Sequence, residues 1–229
     1  MRDQRALQAV PGWLWGFLGL ALAAQLAWQG APHARSERID ALAPAPRAEA
    51  LRLAAFGEDA LLSRLVMLYL QPFDLREIDM ARLLAWLRAA LELDPRAEYP
   101  LFAAARVYAE VPEPDRARVV LEFIHEQFLA DPDRRWPWLA HAALIAKHRL
   151  GDLALARRYA QALERHTRAR DVPLWARQME IFILEDMNEL EAARIMLGGL
   201  LESGAINDPA EQRFLAQRLK ALEAKTGKR

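Results

Sequence analysis

Histidine and carboxylate side chains are the groups in this sequence whose spacing could support chemistry. His141 and His148 lie seven residues apart, which on a helix places them on one face about 10 Å from each other. Helical histidine pairs that bind zinc are normally four residues apart, so we expect a surface or groove-lining role for this pair. Five carboxylates surround a turn at 187–188 and could act in acid–base catalysis inside a cleft, but their pattern favours helix capping and contact with water: Glu180, Glu185, Asp186, Glu189 and Glu191.

Other signatures of catalysis are missing from the sequence. The three serines, Ser36, Ser63 and Ser203, do not lie in a Gly-x-Ser-x-Gly motif. The pair Gly198-Gly199 lacks the lysine and hydroxyl residue of a phosphate-binding loop and is expected to serve helix packing. The chain has no cysteine, and 31 basic residues balance 31 acidic ones, which disfavours nucleic-acid binding. We therefore expect no enzyme activity, metal, cofactor, nucleic acid or small-molecule substrate.

Prolines recur at regular intervals in the sequence and indicate the helices that must position these residues. Pro100, Pro137, Pro173 and Pro209 are 37, 36 and 36 residues apart, and each precedes an apolar segment. Proline suits the first helical position, because its missing N–H has no partner there and its φ is already helical. The sequence therefore predicts a helix at each proline and a second helix in each unit, starting at Pro114-Asp115, Gly151-Asp152 and Asn188-Glu189.

Apolar residues in these helices recur every three or four residues, so each helix is expected to bury one face. The second helices carry three such stripes: Val120, Phe123, Ile124 and Phe128; Leu153, Ala156, Tyr159 and Leu163; Leu190, Ala193, Leu197 and Leu200. In the first helices, two columns after successive prolines are predicted to pack in the core: Phe102, Leu139 and Trp175 at the second position, and Tyr108, Ile145 and Ile181 at the eighth. Few residues favour strands, so we expect an all-α protein.

The unit length and its closing motif resemble tetratricopeptide repeats. The motif is the Ala90-x-x-Leu93-Asp94-Pro95 sequence at the end of one helix, and the turn at Gly151-Asp152 followed by Ala156 fits the same pattern. The resemblance extends over about Glu58 to Leu222. It implies a solenoid of antiparallel helix pairs in which the first helix of each pair lies on the concave face.

On that face, the resemblance implies a column formed by the residues four positions after each proline: Ala104, His141, Arg177 and Arg213. Because the column changes from small to basic, we expect it to bind an acidic or carboxylate-ended segment of a protein partner. A solvated face is the alternative. Trp136 and Trp138 flank one proline and cannot easily both be buried, so one of them is a candidate interface anchor.

The amino-terminal part of the chain predicts a membrane anchor. After a polar tail, residues 1–8, the segment 9–28 has Gln25 as its only strongly polar side chain. Twenty helical residues span about 30 Å, the thickness of a hydrocarbon core, and aromatic rings that favour the membrane interface lie near the ends: Trp13, Trp15 and Trp28. A cleaved signal peptide and a helix buried in protein are the alternatives. Arg5, close to the span, favours a cytoplasmic amino terminus, and hence a single-pass protein of the inner membrane with a periplasmic domain.

The predicted organisation leads to a functional hypothesis. Residues 29–48, rich in alanine and proline, are typical of an extended spacer, and 49–229 form the repeat domain. We interpret the chain as a membrane-anchored scaffold for protein–protein interaction, such as an assembly factor or accessory subunit, which contacts the bilayer through 9–28 and binds other membrane or periplasmic proteins. A permanent structural subunit of a larger membrane complex is the alternative, and an enzyme would need a site completed by a partner.

Overall fold

The computed structural model describes most of the chain: residues 12–30, 42–169, 171–204, 206 and 208–226. The chain divides into two compact units, 1–41 and 42–229. In the first unit the described part is the helix α1 (Gly12–Gly30), on which Trp13 is 70% exposed and Phe17 is 65% exposed.

Membrane crossing was tested on the described helices. None of them, α1 included, is both long enough and apolar enough to span a bilayer. The span predicted over 9–28 is therefore not confirmed, and its first residues, 9–11, lie outside the described part of the chain together with the tail 1–8.

The second unit consists of helices and turns throughout its described residues, which confirms the all-α prediction. The helices are α2 (Ala48–Ala55), α3 (Asp59–Leu70), α4 (Met80–Leu93), α5 (Tyr99–Arg106), α6 (Pro114–Ala130), α7 (Pro132–His148), α8 (Leu153–His166), α9 (Leu174–Arg177), α10 (Met179–Asp186), α11 (Leu190–Glu202) and α12 (Pro209–Thr226), with a 3₁₀ turn at Tyr108–Glu110 after α5.

The helices pack in the order of the chain. Consecutive helices contact each other from α3 to α8 and from α10 to α12, and helices two apart in sequence also touch, as α4 does with α6 and α5 with α7. Short turns join the members of each pair, as in antiparallel helix hairpins. The helices thus form pairs whose first members are α3, α5, α7 and α9–α10 and whose second members are α4, α6, α8 and α11, an arrangement compatible with a helical repeat.

The predicted proline rule holds at three positions and is wrong at the fourth. Pro100 lies in the first turn of α5, Pro173 immediately precedes α9, and Pro209 begins α12. Pro137 instead lies inside α7, because Pro132 already occupies the first turn of this helix.

The two predicted first-helix columns differ in burial. At the second position after the prolines, Leu139 is fully buried, whereas Phe102 and Trp175 are 42% and 49% exposed, so the prediction of a core column is wrong there. The column at the eighth position is confirmed, since all of its members are at most 7% exposed: Tyr108, Ile145 and Ile181.

Side-chain caps and left-handed turns set several helix boundaries. Asp79 Oδ1 accepts the N–H of Ala81 at 2.8 Å, and α4 begins at Met80. The predicted cap at Asp152 is present, with its carboxylate accepting the N–H of Leu155 at 2.9 Å. The turn before it uses Gly151 at φ 63°, a conformation that glycine adopts without strain.

The core consists of two clusters of buried side chains. The larger one extends from Leu42 to Ile183 and contains the α6 stripe and most of the α8 stripe. The smaller one connects the last three helices and is composed of Ile181, Leu184, Ala193, Leu197, Ile206, Leu215 and Leu222. The helix α10 contributes to both, so the carboxyl-terminal helices have a core of their own that is joined to the rest through one helix.

Arginine side chains at the start of second helices contact backbone segments that lie earlier in the chain. Arg82 and Arg116, each the third residue of a second helix, donate to carbonyl oxygens about 40 residues earlier in the chain. Arg82 reaches Leu42 O at 2.8 Å, and Arg116 reaches Ile78 O at 2.7 Å. Leu42 is also buried, so residues 42–47, which fall within the predicted spacer, belong to the second compact unit.

Candidate interaction surface on the first helices

A row of aromatic side chains lies on the outer side of α5 and α7. Tyr99 and Phe102 are three residues apart on α5 and therefore share one side of the helix. Their rings stack at 6.1 Å between centroids, and Phe102 meets the Trp138 ring of α7 edge-on at 6.0 Å. Tyr99 is 49% exposed, Phe102 is 42% exposed and Trp138 is half-buried. The three rings form a continuous surface across two units, which we call the aromatic row.

An apolar pocket adjoins this row between α3 and the start of α5. Its volume is about 300 Å³. The buried side chains of Met67 and Pro100 form its base, and the more exposed Leu68 and Tyr99 form its walls. The remaining lining residues are Ser63, Arg64, Gln71 and Ala97. Because Tyr99 belongs to both features, the pocket and the aromatic row form one surface, the first-helix surface.

Two arginines give the first-helix surface positive charge. Arg64 of α3 and Arg106 of α5 are exposed, and neither forms an ion pair with any residue that the structure describes. Arg134, at the start of α7, is instead paired with Asp131 at 2.9 Å. An unpaired exposed guanidinium retains its capacity for a bidentate contact with a carboxylate.

His141 lies on the same side of α7 as Trp138, three residues further along. Its ring is half-buried, and the Nε2 atom is buried with no hydrogen-bond partner among the described residues. Burial lowers the pKa of His141, the nearby Arg106 lowers it further, and Glu110 partly opposes both effects. The imidazole is therefore neutral near pH 7 and adds no charge to the surface.

The predicted basic column is not assembled as one exposed row. Ala104 is fully buried. Arg177 is half-buried, and its Nη2 donates to the carbonyl of Ala169 at 2.5 Å, which ties α9 to the end of the preceding turn. Arg213 is exposed and donates to Pro209 O of its own helix at 3.1 Å. The residues four positions after the prolines therefore differ in burial and in hydrogen-bond partners.

The two tryptophans beside Pro137 have different neighbours. Trp136 contacts the Trp175 ring of α9 edge-on at 5.5 Å, whereas Trp138 joins the aromatic row. Both are half-buried. Trp138 is the one whose surroundings suit an interface anchor, and its role in binding remains a prediction.

The acidic cluster around the α10–α11 turn was predicted to consist of water-facing caps, and this is wrong for Glu180 and Glu185, whereas Asp186, Glu189 and Glu191 are exposed. Glu180 is 4% exposed and accepts hydrogen bonds from Arg157 at 3.0 Å and Gln161 at 2.7 Å. Glu185 pairs with Arg218 of α12 at 2.6 Å. Asp186 pairs with Lys147 of α7, and Glu191 pairs with Arg194. Because most of the carboxylates have separate partners on different helices, they join helices and do not converge on one site.

Sequence reasoning missed the α3 side of the surface. Ser63, Val66, Met67 and Leu70 form the buried face of this helix, and a second apolar stripe points away from the core: Leu61 at 51%, Leu65 at 48% and Leu68 at 56% exposure. The signal was present, because a helix that is apolar on opposite sides has more hydrophobic surface than one packing face requires.

The first-helix surface therefore combines exposed rings, an apolar pocket and unpaired guanidinium groups. Such a combination can bind a protein segment that offers apolar side chains and carboxylates. Comparison of the chain with protein-family models, with curated proteins and with solved structures gives no match.

Proposed function

We propose that the chain is a helical-repeat scaffold of the tetratricopeptide-like type that binds a segment of a partner protein on its first-helix surface. The observation that carries the proposal is the aromatic row, in which Phe102 contacts both Tyr99 and Trp138 across two repeat units and no ring of the row is fully buried. Large aromatic side chains supply much of the binding energy of protein interfaces. Contiguous exposed apolar surface on a folded domain is a feature of interaction sites.

The test compares binding by variants of the full chain. Phe102→Ala removes the central ring of the row, and Phe214→Ala removes a ring of similar exposure, 52%, on α12 outside the row. We expect both variants to keep the helical circular dichroism of wild type. Quantitative pull-down from detergent extracts should show that the same partner is recovered by wild type and Phe214→Ala and is largely lost by Phe102→Ala. Equal recovery by all three proteins would reject the proposal.

We also propose that α1 attaches this scaffold to a membrane, with the repeat domain on the periplasmic side. The support is the apolar composition of 9–28 and the exposed rings of α1. Membrane fractionation of the full chain and of a chain lacking residues 1–41 tests the attachment. We expect the full chain to stay in the pellet after a high-salt wash and the shortened chain to be in the supernatant. Recovery of both in the supernatant would contradict it.

A permanent subunit is the second candidate function, because the end of the repeat domain at α2 and α3 exposes apolar side chains. Leu53 is 80% exposed and Phe56 is 94% exposed, beside the outer stripe of α3. Terminal units of repeat proteins normally carry a polar outer face, so this end is suited to burial in a larger assembly. Purification in mild detergent separates the candidates. A permanent subunit will co-purify with its neighbours in fixed stoichiometry, whereas a scaffold will lose its partner on dilution.

A further inference from the structure

The apolar pocket between α3 and α5 is too small and too apolar for a typical cofactor. Its volume of about 300 Å³ lies at the lower limit of small-molecule sites. The hydroxyl of Ser63, a buried residue of the lining, already donates to the carbonyl of Ala90 at 2.8 Å and so offers no hydrogen to a ligand. The interior therefore recognises shape and apolar surface, and a single aliphatic or aromatic side chain meets both requirements.

The edge of the pocket adds a charge requirement. Arg64 lies one helical turn before Leu68, so its guanidinium stands on the same side of α3 as the pocket wall. Among the described residues that line the pocket none carries a carboxylate, and Arg64 has no described ion-pair partner. A carboxylate placed next to the inserted side chain would complete this edge.

The pocket is also continuous with the proposed binding surface. Tyr99 forms one of its walls and stacks on Phe102, so a segment that crosses the aromatic row would reach the pocket without leaving the protein surface. A side chain inserted there would be buried between two consecutive units.

We propose that this pocket is the anchor site for the partner segment and that it takes an apolar side chain whose neighbouring carboxylate binds Arg64. This inference rests on the proposed function and specifies the chemistry of the segment. Burial of one leucine-sized side chain corresponds to a gain of about tenfold or more in affinity. The carboxylate makes binding dependent on charge and on salt.

Fluorescence anisotropy with three labelled peptides provides the test. The first peptide has one leucine flanked by two aspartates, the second replaces the leucine by glycine, and the third replaces the aspartates by lysines. The protein is the full chain, in phosphatidylcholine nanodiscs if fractionation places it with membranes and in buffer otherwise. We expect the first peptide to bind about tenfold or more tightly than either of the others.

Three variants make the result specific. Arg64→Glu should reverse the charge preference, so that the lysine peptide binds more tightly than the aspartate peptide. Arg165→Glu is the matched control, since Arg165 is exposed on α8 and has no ion pair with a described residue, and it should leave the preference unchanged. Ala97→Phe, at the pocket edge, should abolish the advantage of leucine over glycine, with circular dichroism confirming that the helices remain.

The outcomes separate this inference from the function on which it rests. If the leucine and glycine peptides bind equally, or if Arg64→Glu keeps the original charge preference, the pocket is not the anchor. Binding that is lost in Phe102→Ala but unaffected by Ala97→Phe and Arg64→Glu would overturn the anchor and leave the first-helix surface in place. Partner recovery that is insensitive to Phe102→Ala would reject the surface itself.

Discussion

Truncation of Leu197 tests whether the carboxyl-terminal helices have their own core. This residue lies on α11, is fully buried, and packs in the smaller cluster with Leu184 of α10 and Leu215 of α12. Leu197→Ala removes its packing and leaves a cavity, and such changes in protein cores cost about 2 to 5 kcal/mol. Because the smaller cluster has seven buried members, a loss of this size is a large part of what holds α11 and α12 in place.

The expected result is local unfolding and not a uniform loss of stability. In repeat proteins each unit is stabilised mainly by its neighbours, so one end can open while the rest stays folded. Hydrogen exchange followed by mass spectrometry should show faster exchange in 190–226 and little change in 80–166. Thermal unfolding should show an earlier transition for the variant than for wild type.

Ile195→Ala on the same helix is the matched control. Ile195 is 60% exposed, so its truncation should change stability by no more than about 0.5 kcal/mol. If Leu197→Ala has no larger effect than Ile195→Ala, the buried face of α11 has been assigned incorrectly. If α4 to α8 lose protection to the same degree as α11 and α12, the two clusters unfold as one unit and the reasoning fails.

Three further perturbations test other contacts. Glu180→Ala removes the buried partner of Arg157. Urea unfolding should show a loss of about 2 kcal/mol in the free energy of unfolding, a value limited by the partial exposure of the arginine. A loss below about 0.5 kcal/mol would show that water replaces the pair. Arg116→Lys cannot reproduce the hydrogen bonds to several carbonyls and should lower the free energy of unfolding by about 1 kcal/mol or more. The loss should depend little on salt because the acceptors are uncharged, and unchanged stability in urea would contradict this role. Burial lowers the pKa of His125, which lies against Glu122 and Tyr159 with Arg158 and His166 nearby. The folded state therefore binds fewer protons than the unfolded chain, and the stability of the fold decreases as the pH drops below about 6.5. His125→Gln should therefore show a smaller decrease in melting temperature between pH 7.5 and 5.5 than wild type, and an identical decrease would exclude this histidine as a cause.

The sequence was sufficient for the helices and for most of the core faces. Spacing of three and four residues placed Val120, Phe123 and Leu197 on buried faces, and all of them are at most 1% exposed. The turn at Gly151 and the cap at Asp152 were also predictable, since the conformational freedom of glycine and the capping bond of aspartate act within a few residues. These features depend on local geometry, which the order of residues alone can express.

The alignment of helix faces between successive repeat units was decided only by the tertiary structure. Pro132 and Pro137 both satisfy the rule for a helix start, and the interval of 36 to 37 residues favoured Pro137, although Asp131 directly before Pro132 is itself a helix-start signal. Counting from Pro137 therefore placed His141 and Arg177 in one exposed column, whereas Arg177 is half-buried and bonded to Ala169 O. The sequence correctly predicted that these residues lie on helices, but the register between distant helices follows from how their side chains pack.

Partners of charged residues were likewise decided by packing. The pairs of Glu180 with Arg157 and of Glu185 with Arg218 join residues 23 and 33 positions apart, and composition alone predicted only that such charges would meet water. The first-helix surface has the same origin, because Leu68, Tyr99 and Trp138 lie on three different helices and become neighbours only when the units stack. Local sequence determined which segments form helices and which of their sides are apolar. Tertiary packing determined which of those apolar sides were covered and which were left accessible, because burial depends on neighbours that are distant along the chain.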